Sequence, residues 1–312
     1  MNANLVVTSI ATAFLAATPV LIAATGELLA EVVGVYNIGI EGSMLCGALA
    51  SFVVAQATGS VMLGMLAGIG VGASASFVFA IAVVVLKADM VVAGLALVFL
   101  GLGLTGVAGK SYVQAPPRVE IPYWDVPLLS HIPYVGKALF QQLSVSYVVF
   151  LLPIAVWFLL YRTRHGLNMR SIGEDPGAAD ATGLSVNGWR MFYVTVAGGF
   201  AGLGGSFLTL GIVGTWLPNV TSGEGWIALA IVIFASWRPL PLVLGAFLFG
   251  ALGTFGNVAQ ALGWSVPSEF LSALPYIGTV LVVCVFAGLR TRSGGVHPWP
   301  AALGLPFFRG TD

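Results

Sequence analysis

Five acidic residues interrupt otherwise apolar stretches and are the side chains best placed to do chemistry. They are Glu27, Glu31, Glu41, Asp89 and Glu224. A carboxylate in an apolar setting can take up a proton or a cation, or it can hold helix ends and gates in place. In a helix the 27/31 and 37/41 pairs, the second including Asn37, would each share a face because their members are four residues apart. We expect these groups to face protein or a water-filled cavity, since contact with lipid costs roughly 3 kcal/mol each.

The histidines and cysteines form no catalytic or metal-binding pattern. The three histidines, His131, His165 and His297, lie far apart in sequence. Cys46 and Cys284 fall inside apolar runs, where a cysteine is typically a small buried side chain. We therefore predict no catalytic residue, no metal site and no enzyme activity in this chain.

Two glycine patterns match nucleotide-binding motifs by letter only. Gly101, Gly103 and Gly106 have the spacing of a dinucleotide fingerprint, but no strand precedes them and no acidic partner follows. The run at 109–111 has Leu104 where a phosphate-binding loop needs glycine. We predict helix packing for these glycines, and no nucleotide or other cofactor bound by this chain.

The elements that must position the acids are membrane helices. Hydrophobic residues make up 58% of the 312 residues and charged residues 8%, against about 25% charged in soluble domains. A soluble protein of this size needs a charged surface, which this chain lacks. We therefore expect its surface to contact lipid instead of water. The net charge of zero argues against a nucleic-acid partner. Residues 1–25 have no basic segment before their apolar run, which favours a membrane span over a cleaved signal.

We predict one all-α, polytopic membrane domain over residues 1–312, with about nine transmembrane helices and roughly eight to ten allowed. Residues 26–42 fit either a re-entrant segment or a full span. Gly26-Glu27 and Gly223-Glu224 each precede a short apolar segment, which leaves an inverted repeat open. The expected spans outside 26–42 are 5–24, 43–57, 62–86, 90–108, 146–161, 191–212, the short 226–237, 241–262 and 270–289.

Two long polar stretches separate these spans. Residues 110–143 contain five prolines and several aromatic residues, and we expect an extracytoplasmic loop that lies in the interface or receives a binding protein. Residues 162–190 carry four arginines, which predicts a cytoplasmic loop because Lys and Arg are enriched on that side. The basic residues expected inside are 87, 162, 164, 170, 190, 238, 290, 292 and 309, nine of twelve, which also places the C-terminus in the cytoplasm.

The 162–190 loop contains a short predicted helix that a cytoplasmic partner could contact. Asp175 is a good N-cap, and Pro176 at the first helical position loses no hydrogen bond. Residues 177–182 then provide about two turns before Gly183 ends them as a C-cap. Such an exposed, alanine-rich helix between two spans is suited to docking.

Three sequence blocks resemble a known transporter family. The run GEDPGAADATGLSV, beginning at Gly173, is similar to the coupling-helix segment of permease subunits of ATP-binding-cassette importers in the ribose, branched-chain amino acid and nucleoside branch. ELLAEVVGVYNIGIEGSMLCGA, from Glu27, resembles the N-terminal signature of the nucleoside permeases in that branch, and SGEGWIALAIVIFASWRP, from Ser222, resembles a third block. The likeness runs from about residue 10 to about residue 290.

The resemblance implies a set of partners. It implies a dimer of permeases in a bacterial inner membrane, with a longer paralogue as the second subunit, an extracytoplasmic binding protein, and an ATPase subunit that binds ATP and Mg. The ATPase would dock on the coupling helix, through Glu174, Asp175, Pro176, Ala178, Ala179 and Gly183.

The resemblance of the block from Glu27 to the nucleoside branch implies a nucleoside or a similar small neutral molecule as the solute. Aromatic and hydrogen-bonding groups suit such a solute, and the candidate pathway residues are Asn37, Glu41, Phe99 and Asn257. Glu27, Glu31, Asp89 and Glu224 are then structural or gating groups. A simple sugar such as ribose is the first alternative and a branched-chain amino acid the second. A carrier that uses the acidic residues for ion coupling is the third alternative.

Overall fold

The computed structural model describes residues 3–127, 129–262, 266–267, 270–271, 273–281, 284 and 300–309. For residues 3–5, 135, 137, 257 and 261 it describes the backbone only. The α-helices are α1 Ala3–Val32, α2 Ile40–Thr58, α3 Val61–Ala80, α4 Met90–Ala108, α5 Val135–Leu139, α6 Ser144–Arg162, α7 Arg164–Glu174, α8 Pro176–Ala181, α9 Val186–Phe207, α10 Glu224–Phe234 and α11 Pro239–Ala261. Two helices continue as π-helical turns, α3 over Ile81–Val85 and α9 over Leu208–Val213.

Seven helices within the described residues are long and apolar enough to cross a membrane. They cover Val6–Val32, Ile40–Thr58, Val61–Val85, Met90–Ala108, Ser144–Arg162, Val186–Val213 and Pro239–Gln260. The chain is an all-α, multi-pass membrane protein, as predicted. The short predicted span at 226–237 is the 11-residue helix α10, about 16 Å long and half of a bilayer core. The predicted last span at 270–289 is helical at 270–271, 273–281 and 284, and its other residues lie outside the described part.

Residues 26–42 form neither a re-entrant helix nor a separate span, so both alternatives for this stretch were wrong. Helix α1 runs without a break through Val32, because Gly26 fits against α9 beside Phe200 and the helix contains no proline after Pro19. Gly34 ends the helix in the left-handed conformation, with φ +92°. Its N–H donates to the carbonyl of Glu31 and that of Val35 to Ala30, the paired bonds of a Schellman C-cap. Residues 33–39 are then non-helical and buried or half-buried.

Helix α9 lies at the centre of the bundle and packs against α1, α2 and α3. Glycines make this approach possible. A Cβ on Gly72 of α3 would lie 2.7 Å from the Cα of Gly202 on α9, and one on Gly47 of α2 would lie 2.9 Å from the carbonyl of Gly68 on α3. Both distances are too short for a real side chain. Small residues therefore let three backbones meet.

The 110–143 loop contains a small β-structure that the all-α prediction did not include. Strands β1 Tyr123–Asp125 and β2 Gln141–Leu143 pair antiparallel, with Trp124 opposite Gln142. The loop contacts the connection after α9, where Val113 pairs with Trp216. Since α6 joins this loop to the 162–190 loop, the two loops lie at opposite ends of one spanning helix.

Candidate functional site

The carboxylate of Glu41 joins the first turns of α2 and α10. It accepts hydrogen bonds from the hydroxyl of Thr221 at 2.6 Å and from the backbone N–H groups of Gly223 and Gly225, each at 2.8 Å. A Cβ on Gly225 would lie 2.7 Å from the Cα of Glu41, so only glycine fits there. Two short-range effects favour this arrangement, because an acid in the first helical turn interacts well with the helix dipole and with unpaired N–H groups.

A second buried cluster fixes the non-helical segment between α1 and α2. One oxygen of Glu27 accepts the backbone N–H of Asn37 at 2.6 Å, and the Asn37 amide donates to the hydroxyl of Ser76 at 3.1 Å. The hydroxyls of Ser76 and Ser43 are 2.9 Å apart. Oε2 of Glu27 and Oδ1 of Asn37 have no partner among the described residues although both are buried. Two hydrogen-bond acceptors are thus available deep in the protein.

Helix α10 is held at its other end by a third carboxylate. The indole N–H of Trp237, three residues after the helix, donates to Glu31 of α1. The half-length helix is therefore bracketed by Glu41 of α2 and Glu31 of α1. Glu224 opens α10, and its buried Oε2 has no partner among the described residues.

The structure brings only part of the predicted pathway set together. Asn37 and Glu41 are both buried at the start of α2. Phe99 lies apart from them on the outer face of α4, where 69% of the residue is exposed. The side chain of Asn257 lies outside the described residues. Asp89 is an exposed N-cap of α4 and accepts the N–H groups of Val91 and Val92, which fits its predicted structural role.

The predicted helix of the 162–190 loop is present as α8, with both predicted caps. The carboxylate of Asp175 accepts the N–H of Ala178 at 2.9 Å, and Pro176 occupies the first helical position. Gly183 has φ +91°, and the N–H groups of Gly183 and Leu184 donate to the carbonyls of Asp180 and Ala179. The helix therefore ends in the same Schellman geometry as α1.

The six predicted docking residues are not equally placed. Asp175, Ala178 and Gly183 are exposed and Pro176 is half-buried. Ala179 is only 3% exposed and packs into the protein's own core, so its prediction as a docking contact was wrong. Its place on the inner side of a helix only two turns long explains the error. Glu174 is exposed, but its carboxylate already accepts the N–H of Ala301 at 3.2 Å.

Residues 300–309, here called the C-terminal segment, contact the 162–190 loop and the end of α1. The N–H of Ala302 donates to Gly173, and that of Gly304 donates to Gly34. Arg309 forms an ion pair with Asp180 of α8, with Nε 3.2 Å from Oδ2. The C-terminal segment thus lies on the same side of the bundle as the 162–190 loop.

Arg190 is a site residue that the sequence analysis counted only as loop charge. Its guanidinium is buried at 2% exposure and donates to the carbonyls of Val33 and Leu305. Nearby, burial lowers the pKa of Lys87, and the charge of Arg190 lowers it further. No local pattern could assign this role, because both acceptors are backbone carbonyls more than a hundred residues away. Its place directly before the apolar run that begins at residue 191 was the available signal.

The described residues contain no group of three or more His, Cys, Asp and Glu side chains that could hold a metal ion. What they offer is a set of buried acceptors, helix starts that meet inside the bundle, and an exposed capped helix. Buried acceptors of this kind can bind neutral hydrogen-bond donors, and an exposed capped helix can contact a partner protein.

The family model for the permease component of branched-chain amino acid transport systems matches residues 9–285. The chain belongs to this permease family. The permease is 38% identical over 300 residues to a Haloferax volcanii protein named "Putative glucose ABC transporter permease protein", covering 89% of this chain and 91% of the relative. It is 34% identical to a nucleoside ABC transporter permease of Lactococcus lactis, over 90% and 93% of the two chains. It is 32% identical to a guanosine ABC transporter permease of Bacillus subtilis, over 94% of each.

No solved structure matches the permease. The likeness inferred from three sequence blocks is confirmed over nearly the whole chain. The protein is therefore the permease component of an ABC transport system.

Proposed function

We propose that this permease carries a nucleoside inward across a cell membrane, driven by a separate ATPase subunit that docks on α8. The observation that carries the proposal is the exposed, doubly capped helix of the 162–190 loop. Asp175, Pro176, Ala178 and Gly183 form its docking face, and Asp175 offers a charge to basic groups of the partner. ATP and Mg are bound by the ATPase.

The packing of the 162–190 loop supports a route for the movement. A Cβ on Gly173 would lie 2.0 Å from the carbonyl oxygen of Val32, so the loop rests directly on the end of α1. The next residues of the chain are the non-helical segment 33–39, which leads to Asn37 and Glu41. A displacement of α8 can therefore reach these residues through the end of α7 and the end of α1.

The names of the relatives support a nucleoside as solute, since two of the three are named for nucleosides or guanosine. The unpartnered acceptors of Glu27 and Asn37 suit the hydroxyl and N–H donors of such a solute. The Haloferax volcanii relative named for glucose supports a simple sugar as the second candidate. A branched-chain amino acid ranks third.

The assembly that we infer has four kinds of member. A second permease, a paralogue of this one, completes the membrane part, and an extracytoplasmic binding protein delivers the solute to the 110–143 loop. The C-terminus lies in the cytoplasm with the 162–190 loop. We count α10 and the helix that includes residues 273–281 as the eighth and ninth spans.

The pairs α1–α2 and α9–α10 are candidate halves of an inverted repeat. In each pair a long helix leads through a non-helical segment to a helix with an acid in its first turn. The counterpart of Gly223-Glu224 is then Gly39-Ile40-Glu41. The predicted counterpart, Gly26-Glu27, does not open a segment because it lies inside α1.

Replacement of Ala178 tests the docking site. Ala178→Trp places a bulky ring on the exposed face of α8 and should release the ATPase from the permease in a pull-down through a tagged ATPase. Ala88→Trp, also at an exposed position, is the matched control and should keep the ATPase bound. Full retention of the ATPase by Ala178→Trp would remove α8 as the docking site.

Reconstituted vesicles test the solute and the energy source. With the binding protein, the second permease and ATP present, the complex should accumulate guanosine and leave glucose outside. Uptake of guanosine driven by a pH gradient without ATP would instead establish an ion-coupled carrier.

A further inference from the structure

A cavity of about 540 Å³ lies beside α10, on the side of the 162–190 loop. Its lining includes Glu31, Tyr36, Leu229, Ile233, Trp237 and Leu303. The volume falls within the roughly 300–1,000 Å³ typical of small-molecule sites. Asn37, Glu41 and Phe99, the predicted pathway residues whose side chains are described, do not line it.

The chemistry of the lining is selective. Two aromatic rings and several aliphatic side chains surround one buried carboxylate, that of Glu31. Glu31 accepts the indole N–H of Trp237, which fixes its orientation, and a carboxylate has lone pairs for further donors. Burial raises the pKa of Tyr36, and the charge of Asp89 raises it further, so its hydroxyl remains a neutral donor at physiological pH.

A nucleoside matches both features of this lining. The planar base has apolar faces that pack against aromatic and aliphatic side chains. The ribose hydroxyls and the N–H groups of the base can donate hydrogen bonds to the oxygens of Glu31. A hexose lacks the planar base whose faces could pack against Tyr36 and Trp237.

We propose that this cavity is an inner binding site for the nucleoside, occupied after the solute has passed the junction of α2 and α10. The inference rests on the proposed transport function and adds a second binding site to the transport pathway. The base stacks on Tyr36, and Glu31 accepts hydrogen bonds from the sugar or the base. Trp237 holds the carboxylate in position from the end of α10.

The cavity also has a direct connection to the docking helix. Leu303 belongs to the C-terminal segment, whose Ala301 and Ala302 donate to Glu174 and Gly173 of the 162–190 loop. A solute in the cavity therefore touches a segment that is hydrogen-bonded to the residues preceding α8. Occupancy of the inner site is thereby coupled to the position of the ATPase.

Equilibrium binding of tritiated guanosine to the complete permease–ATPase complex in lipid nanodiscs, without binding protein and without ATP, tests the site. We expect saturable binding. Ile233→Trp, which fills the cavity without deleting a polar contact, should weaken it by about tenfold or more. Leu244→Trp, at a position 71% exposed on α11, should bind like the unmodified protein. Equal affinity of Ile233→Trp and the unmodified protein, absence of saturable guanosine binding, or binding of glucose alone would each overturn the proposal.

Photolabelling locates the site even if the filled variant fails to assemble. Unmodified complex irradiated with 8-azidoguanosine should carry the label on the peptide that contains Tyr36 or Trp237, and label found only elsewhere would overturn the proposal. ATP-driven guanosine import by the same preparation separates the two levels. Import without labelling of these peptides would refute only the proposed inner site. Absence of import would refute the proposed transport function.

Discussion

At the scale of single residues, the carboxylate of Glu41 is the side chain that joins α2 to α10. It accepts three hydrogen bonds from the start of α10, and an amide can supply only one oxygen in its place. Glu41→Gln should therefore lower the free energy of unfolding by about 1–3 kcal/mol and reduce transport. Thermal unfolding in detergent and vesicle uptake measure the two effects.

Glu120→Gln is the matched control for this substitution, since Glu120 is exposed in the 110–143 loop. It should leave both the unfolding midpoint and the uptake rate unchanged. A Glu41→Gln protein as stable as the control would contradict the role assigned to the α2–α10 junction.

The sequence predicted that the acids of residues 26–42 are buried, but not what they bind. Glu27, Glu31 and Glu41 were expected to face protein, and all three are at most 3% exposed. The expected shared face of the 37/41 pair does not exist, because Asn37 precedes α2 and only Glu41 is helical. The partners of Glu41 and Glu31 are Thr221, Gly223, Gly225 and Trp237. Such long-range contacts depend on packing, and spacing along one chain does not reveal them.

At the scale of elements, the stability of helix α8 depends on its two capping interactions, because the helix is short. Six residues are too few for an autonomous helix. Asp175→Ala removes the N-cap bond, and we expect it to destabilise the helix by about 1 kcal/mol. Faster hydrogen exchange at residues 178–184 is the measurement. As a control, Asp125→Ala, at an exposed position in β1, should leave exchange at residues 178–184 unchanged. Unchanged exchange at these residues in Asp175→Ala would show that packing alone holds α8.

The crossing of α2, α3 and α9 is sensitive to the size of the side chains at its glycine positions. Gly202→Leu would push a side chain into the backbone of α3 and should destabilise the fold by about 3 kcal/mol or more. Gly103→Leu is the matched control, because nothing lies within 4 Å of a Cβ at that position. Size-exclusion chromatography and thermal unfolding in detergent should show loss of folded protein for the first variant only. Equal stability of the two variants would contradict the packing described.

Local signals predicted element ends better than element continuity. The caps of α8 were predicted because Asp, Pro and Gly act within one or two turns. The continuity of α1 was missed because Gly26 and two glutamates looked like an interruption, whereas the helix is buried on all sides at that level. Burial by neighbouring helices overrides weak helix propensity, and it is not visible in the segment itself.

At the scale of the whole molecule, sidedness is the prediction to check. In a protein with Cys46 and Cys284 replaced by alanine, Ala178→Cys and Leu305→Cys should react with a membrane-impermeant maleimide only in inside-out vesicles. Both positions are exposed and lie on the side of the 162–190 loop. Asp125→Cys in the 110–143 loop should react only in right-side-out vesicles. Labelling of all three from the same side would contradict the arrangement of α6.

The position of the C-terminal segment determines where a purification tag can be placed without displacing the ATPase subunit. Arg309 is within ion-pair distance of α8, so an affinity tag or a fluorescent protein inserted directly after Arg309 begins next to the surface where we place the ATPase. Such a fusion should express and insert normally yet yield preparations that lack the motor subunit. A tag inserted in the 110–143 loop avoids this obstruction, because it emerges at the far end of α6.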